Sequence, residues 1–439
     1  MNESRVFSNY FYVWAIFLPV TSFLLVPSVQ GTTIAYVFAL ASIAVVVIVS
    51  VFKDTVYLNR LFLFVTVYGL LYLLSQFGLL YHSSIDLSGI GLVDPKQTRL
   101  YFRSSSVTQS IYLLSGVLTF LYVRRHYRPS WDRYIYYGAI VIAVYGFYEV
   151  IYFQLFNANG DFISNRMFGE HTGSWFQTSQ IGSLTVARLK SLTGEPSMAA
   201  FTLLPYWIYA VHKGKSKLQW PLLAALLLTT STTAYVGIAL YAICRALSYR
   251  VTERLNVWVP YVVLIVAVGL YKPISYYFTL FVWDKFFTDN ISGMERQGSF
   301  DINMEFYEHL PVMNKLFGIG FGTIRSTDMF STLLVNVGIV GVVIATLFFV
   351  IPILQLKRSN ENTGIRIILI VIYVTMMMAV PEFAYLPTWL FLGIAYKKLA
   401  DQHQQASEVR ADDNKRGVHQ RPFYDAIRYG SPALRDRAG

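Results

Sequence analysis

The sequence predicts an all-α integral membrane protein of about 12 transmembrane helices, each run sized to cross a hydrocarbon core roughly 30 Å thick. Three observations predict it. Of 439 residues, 55% are hydrophobic and only 14% are charged, and the mean hydropathy is +0.45. Soluble domains carry about 25% charged residues, so this chain lacks the polar surface to coat several globular cores. Apolar runs of near-spanning length recur along most of the chain, and Lys and Arg gather in clusters between alternate runs. The net charge of +11 is therefore read as a topology signal and not as a nucleic-acid footprint. The lone Cys244 and 7 histidines exclude a disulfide framework and a cysteine-rich metal site.

The runs lie, in order, near Phe11–Val29, Thr33–Phe52, Leu61–Tyr81, Val107–Val123, Tyr134–Gln154 and Met198–Val211. Gln219–Leu247 is too long for one helix and short for two. Thr229–Thr233 (TTSTT) at its middle makes it a tight hairpin of two short or tilted helices. Val257–Tyr276, Ser331–Leu354, Ile367–Val380 and a short run at Thr388–Tyr396 complete the set. The first run continues as a full span, so no cleavable signal peptide is expected.

Orientation follows from the cations. Arg124, Arg125, Arg128 and Arg133 form one cluster, and Lys213, Lys215 and Lys217 another. Arg245, Arg250 and Arg254 come next, then Lys357, Arg358 and Arg366, then Lys397 and Lys398. With the N-terminus inside, every cluster falls on the cytoplasmic side, and both termini are cytoplasmic. Two long segments, about 156–195 and 277–330, then lie outside, with a shorter one over His82–Ser106. Rich in Trp, Phe, Tyr and Gly, they read as ordered structure folded over the outer mouth of the bundle, and segments of this length are commonly functional. Residues 1–400 thus form one polytopic domain. Residues 401–439, rich in Gln, Arg and Asp without apolar periodicity, read as a disordered cytoplasmic tail.

Several chemistries are missing. The chain has no G-x-x-x-x-G-K-[ST] loop, no H-E-x-x-H and no C-x-x-C, so neither a phosphate-binding ATPase loop nor a metal cage is expected, and no cofactor. Gly318, Gly320 and Gly322 (GIGFG) match a dinucleotide fingerprint only superficially, because the third glycine is misplaced. They read as a tight turn leading the second outer segment into the next span, with close approach of the backbone to a ligand as the alternative.

The informative side chains stand on the outer segments. Arg188 and Lys190 precede the sixth span and break the positive-inside trend, which makes them poor topology signals. Arginine presents a fork suited to phosphate oxygens. Glu195, just before Pro196, sits where a helix N-terminus stabilises its charge. The same position also sets a carboxylate on a rigid element, able to accept a proton from a hydroxyl. In the second segment, Arg296 and Arg325 add guanidinium groups, with salt bridges to nearby acids as their plain alternative. Asp301, Glu305 and Glu308 share one face of a helix and read as a solvated surface, and His309 as structural. Trp175, Phe176, Trp283, Phe286 and Phe287 are candidates to stack on sugar rings. Glu149 and Glu382 are ionisable groups near membrane depth.

Three local motifs carry a resemblance. Arg188-x-x-x-Leu192 precedes Gly194-Glu195-Pro196-Ser197; Leu316–Gly322 reads LFGIGFG; and nine residues separate Asp328 from Gly338-Ile-Val-Gly341. In this order and topology they resemble the bacterial O-antigen polymerases (Wzy-type) and the related O-antigen ligases. Arg188-x-x-x-Leu192 resembles the R-x3-L of the ligases, and Gly194–Ser197 resembles the polymerase form of the residues after it. The second motif is similar to a glycine motif near the end of the family's main loop, and the third to the ligase pattern that ends in G-x-x-G. Thr327 stands where the ligase carries its histidine base, which favours polymerase over ligase.

The resemblance implies a glycosyltransferase of the bacterial inner membrane with its active site facing the periplasm. It would join oligosaccharide repeat units carried on undecaprenyl pyrophosphate into an O-antigen or exopolysaccharide. The displaced glycosyl pyrophosphate develops negative charge, which positioned cations stabilise. Arg188 and Arg296 are expected there first, Lys190 and Arg325 second. Glu195 is the expected base and Asp328 its alternate, in a metal-independent transfer. The implied partners are the lipid-linked oligosaccharide and membrane lipid, with a chain-length regulator left open and no nucleic acid. Two other readings remain: an O-antigen ligase moving polymer to an acceptor lipid, and a transporter or flippase of the lipid-linked unit. Transporters often show internal repeats and short loops, neither of which is visible here.

Overall fold

The computed structural model describes residues 3–27, 29–50, 54–82, 85–97, 99–168, 171–173, 175–181, 184–248 and 291–428. For 168, 171–173, 181, 184, 291–296 and 409–428 the description covers the backbone alone. The span expected at Val257–Tyr276 and the aromatics Trp283, Phe286 and Phe287 lie outside the described residues. The first helices are α1 (Glu3–Phe17), α2 (Ile34–Ser50), α3 (Thr55–Tyr81), α4 (Ser104–His126) and α5 (Asp132–Phe156). After two small hairpins come α6 (Pro196–His212), α7 (Ser216–Leu228) and α8 (Thr232–Ser248). Beyond residue 290 lie α9 (Ile291–Glu308), α10 (Val312–Phe317), α11 (Met329–Gln355), α12 (Asn360–Ala379) and α13 (Leu386–Arg428).

Local chemistry sets the helix ends. Asp54 accepts the Tyr57 amide at 3.2 Å to cap α3, and Asp328 and Ser359 cap α11 and α12 in the same manner. Asn157, in the left-handed region with φ 50°, closes α5. Thr229–Ser231, within the TTSTT cluster, turns the chain between α7 and α8.

Packing divides the helices into an inner and an outer set. Every residue of α6 except Ser197 and Val211 is buried, as expected of a helix that is apolar all round. It is enclosed by α5, α7, α8 and α12, while α13 packs along α4. By contrast α3 exposes Phe62, Leu63, Leu70 and Phe77, each at more than half of its full accessibility. Among the described residues, five helical stretches are long and apolar enough to cross a bilayer: α3, α4, α5 with its leading turn, α11 and α12. An apolar surface of this kind takes lipid as its solvent, because helices satisfy their backbone internally. The described architecture is that of a membrane-embedded all-α protein.

The connections gather at two ends. At one, Thr21 and Ser22 amides donate to Leu192 O, Asn165 pairs with the Leu24 backbone, and Leu92 bridges Ile324. This is the loop end. At the opposite end Arg125 meets Asp54 at 2.9 Å, and Lys213 joins Asp132 at 2.9 Å and Glu361. Burial opposes the Lys213 charge, but its bonds to Glu361 and Asp132 outweigh that and hold the amine above its ordinary range.

Three local expectations are revised. Helix α1 covers Glu3–Phe17 and not Phe11–Val29, because Pro19 forbids continuation and disfavours helix at Leu18. Leu18, Val20 and Leu24 stay buried in turn and irregular chain, so their apolar character reports packing and not helix. The segment 156–195, expected outside the membrane, holds two antiparallel hairpins, Arg166–Phe168 with His171–Gly173 and Thr178–Ile181 with Leu184–Ala187. Finally, α13 runs through Asp401 to Arg428, where the composition reads as a disordered tail. The start of that stretch is rich in Gln, Ala, Glu and Arg, all good helix formers, and Gln404 bonds Glu408 one turn on.

Candidate functional site

The first outer segment is fastened by a buried ion cluster. Lys190, 1% exposed, donates to Glu149 at 2.7 Å and to Asp161 at 2.6 Å. The Ser191 amide bonds the other Glu149 oxygen at 2.8 Å, and Tyr145 donates to Asp161 at 3.0 Å. Ser191 itself has φ 51° and donates its hydroxyl to Ile142 O. Lys190, expected among the phosphate ligands, is thus enclosed between two acids and ties the segment to α5. Removing one partner from such a buried pair typically costs about 3–5 kcal/mol.

This anchor fixes the residues on either side. The Leu189 amide donates to Leu228 O, seating the segment on the α7–α8 turn. Arg188 reaches the same turn, donating from Nε to Thr229 O at 3.2 Å and from the fork to Thr230 O and Gln177. Downstream, Pro196 opens α6 and Glu195 occupies its N-cap position, but the Glu195 side chain caps no backbone amide. Among the described residues Ser197 alone bonds its carboxylate, which is half-buried. Phe176 stacks obliquely on Phe153, and the Trp175 amide donates to Gly194 O.

The second outer segment enters the bundle through a break in α11. At Gly338 the backbone leaves helical geometry (φ 66°, ψ −173°), nine residues into a helix whose residues Ser331–Asn336 are all buried. The carbonyls released there, of Val335 and Asn336, accept the amides of Ile319 and Gly320 at 2.9 and 3.0 Å. The GIGFG stretch is therefore a backbone plug for an interrupted helix as well as a turn. Buried Asn336 completes the joint: its Oδ1 accepts the Thr323 and Ile324 amides and its Nδ2 donates to Ile324 O. Irregular backbone at membrane depth is tolerated only where protein or a polar cavity covers it. A Cβ at Gly318 would collide with the backbone of Asn336, and one at Gly338 with the Leu316 carbonyl.

Asp328 and Arg325 flank this joint. Asp328 is 7% exposed; one oxygen accepts the Ser331 amide at 2.7 Å and the other the hydroxyls of Ser331 and Ser326. Expected as the alternate base, it is occupied as the cap of α11. Arg325, largely exposed, pairs with Glu382 in the α12–α13 turn. Arg296 stands on α9, one turn before Ser299, whose hydroxyl meets that of Ser326 at 3.0 Å; only its backbone is described. Asp301, Glu305 and Glu308 lie on the same helix, and His309 bonds Glu305 O.

One further cation converges here from the first segment. Arg166 donates to Thr21 O and Gln30 and lies within electrostatic reach of Tyr36, Tyr112 and Tyr385. Glu382 acts on Tyr36 and Tyr385 as well. Both outer segments therefore send an arginine toward the turn that opens α13. The contacts of Arg188, Arg325 and Asp328 fall in three places: the α7–α8 turn, the α12–α13 turn and the start of α11.

Beside that turn begins an apolar groove of about 470 Å³ between α3 on one side and α4, α11 and α13 on the other. At the loop end it is lined by Tyr72, Phe321 of the GIGFG stretch and Phe383. At the opposite end stand Arg60 and Arg124. From Arg60 to Ser75 the groove runs along α3 for about 22 Å at the helical rise.

No family model matches the chain, and no curated protein matches it. Arg166 and Asn336 escape the sequence reading. Arg166 satisfies the criterion that selects Arg188, a cation in a segment expected outside, against the positive-inside trend, and Asn336 is a polar residue inside a spanning apolar run, which marks a functional or structural joint.

Proposed function

We propose that the chain is a membrane glycosyltransferase that polymerises lipid-linked oligosaccharide repeat units at the loop end of the bundle. The observation that carries this reading is the groove. It is long, apolar and laterally bounded by the lipid-facing helix α3, and it ends against Phe383, next to the Arg325–Glu382 pair. The first isoprene units of a polyprenyl tail would lie in its loop-end half, the rest of the tail passing out into lipid, with the pyrophosphate head at the level of the outer segments. Twelve spans with both termini cytoplasmic and an outward-facing site in a bacterial inner membrane belong to this proposal.

Within it, Arg188, Arg296 and Arg325 are the cations for the departing pyrophosphate, stabilising charge as it develops. Arg166 joins them from the first segment, and Lys190 takes the part of an anchor. Glu195 takes the proton from the attacking sugar hydroxyl as the anomeric carbon–oxygen bond to pyrophosphate breaks and the new glycosidic bond forms. Three features support that assignment: its position on the rigid start of α6, its partial exposure and its freedom from capping. Arg188→Ala tests the proposal in cells. Polymer should vanish while single-repeat product persists, and a normal distribution of chain lengths would refute the role of Arg188. If deletion of the gene instead leaves long polymer on the carrier lipid, the chain is a ligase.

A further inference from the structure

The opposite end of the groove carries a feature that pyrophosphate chemistry at the loop end does not use. Arg60, in the second turn of α3, and Arg124, in the last turn of α4, both line it. Two like charges thus line one apolar groove at the same end. Asp54, the acid that caps this end of α3, is engaged by Arg125 at 2.9 Å, with His126 beside it at 3.9 Å. Arg124 leans on the rings of Phe120 and Tyr396, and its buried Nε has no hydrogen-bond partner among the described residues. Two guanidinium groups thus stand together at the foot of an apolar groove, and among the described residues neither forms an ion pair with a carboxylate.

We propose that this end of the groove is a binding site for an acidic phospholipid from the adjoining leaflet. Its phosphate lies between Arg60 and Arg124, and an acyl chain runs up the groove against Leu113, Val117 and Ile344. The charge pair selects the headgroup and the apolar wall accepts the tail. A free phosphate would satisfy the first feature only. The proposal requires the membrane embedding of the bundle and is independent of the polymerase reading.

The test uses the full chain purified in detergent and exchanged into nanodiscs that contain phosphatidylglycerol or phosphatidylcholine alone. Retained lipid is counted by native mass spectrometry. The unaltered protein should hold phosphatidylglycerol in preference to phosphatidylcholine, and inorganic phosphate should not displace it. Arg60→Gln and Arg124→Gln should each weaken retention about fivefold, the worth of one cation beside an acidic lipid surface. Arg128→Gln, an exposed cation outside the groove, should leave retention unchanged, and Arg124→Lys should largely preserve it. Equal retention of both lipids by the unaltered protein would overturn the site even if the glutamine variants fail to fold. So would an equal loss in Arg128→Gln, or displacement by inorganic phosphate.

Discussion

Gly318→Ala probes the joint on which the second outer segment depends. Gly318 has φ 74° and faces the backbone of Asn336 and Val337, so a methyl group meets both a conformational and a steric obstacle. With ψ −171° the residue lies in an extended, positive-φ region that is essentially reserved for glycine and costs another residue about 1–3 kcal/mol. Forcing one extra carbon into a packed interior adds about 1–3 kcal/mol, and backbone atoms yield less readily than a side-chain end. The expected destabilisation is therefore about 2–6 kcal/mol. Gly298→Ala is the matched control: it sits on exposed α9 with nothing within 4 Å of a new Cβ, and should be neutral or gain up to about 1 kcal/mol from helix propensity. Thermal unfolding of both variants in the same detergent, monitored by tryptophan fluorescence, measures the difference. If Gly318→Ala and Gly298→Ala unfold together with the parent, the GIGFG stretch does not thread the break in α11 and the plug is refuted.

Other outcomes rest on the same contacts. Lys190→Met should destabilise the chain by about 3–5 kcal/mol by leaving Glu149 and Asp161 without their shared cation; adding Glu149→Gln and Asp161→Asn should restore much of the loss in thermal unfolding, and a Lys190→Met protein as stable as the parent contradicts the anchor. Asp328→Asn should keep both stability and polymerisation, since asparagine caps a helix as well as aspartate, whereas Asp328→Ala should lose roughly 1 kcal/mol. Glu195→Gln should abolish polymer without shifting the unfolding temperature, and activity retained in that variant but lost in Asp328→Asn would exchange their roles.

Much of the helical layout was legible because a spanning helix needs a long apolar run, and the Thr229–Thr233 cluster marked a turn in a stretch of the wrong length for one helix. What hydropathy misses is whether an apolar run is continuous helix. Leu18, Val20 and Leu24 are buried in non-helical chain around and beyond Pro19, and α11 stays largely apolar through its break at Gly338. The Gly338–Gly341 motif was visible, but its partner backbone lies about twenty residues upstream in sequence and only the fold brings them together. Lys190 is the sharper case. As an outer cation beside Arg188 it looked like a ligand, yet its two acids stand 41 and 29 residues away and no local pattern announces them. Arg166 belongs to no motif, although it meets the same charge criterion as Arg188.

The most direct test of the central claim is reconstitution of the purified protein in liposomes with radiolabelled polyprenyl-pyrophosphate oligosaccharide and separation of the products by size. The account predicts a ladder of joined repeats with release of polyprenyl pyrophosphate, lost in Arg188→Ala. Label that crosses the bilayer while every oligosaccharide stays a single repeat would contradict it and make the protein a transporter.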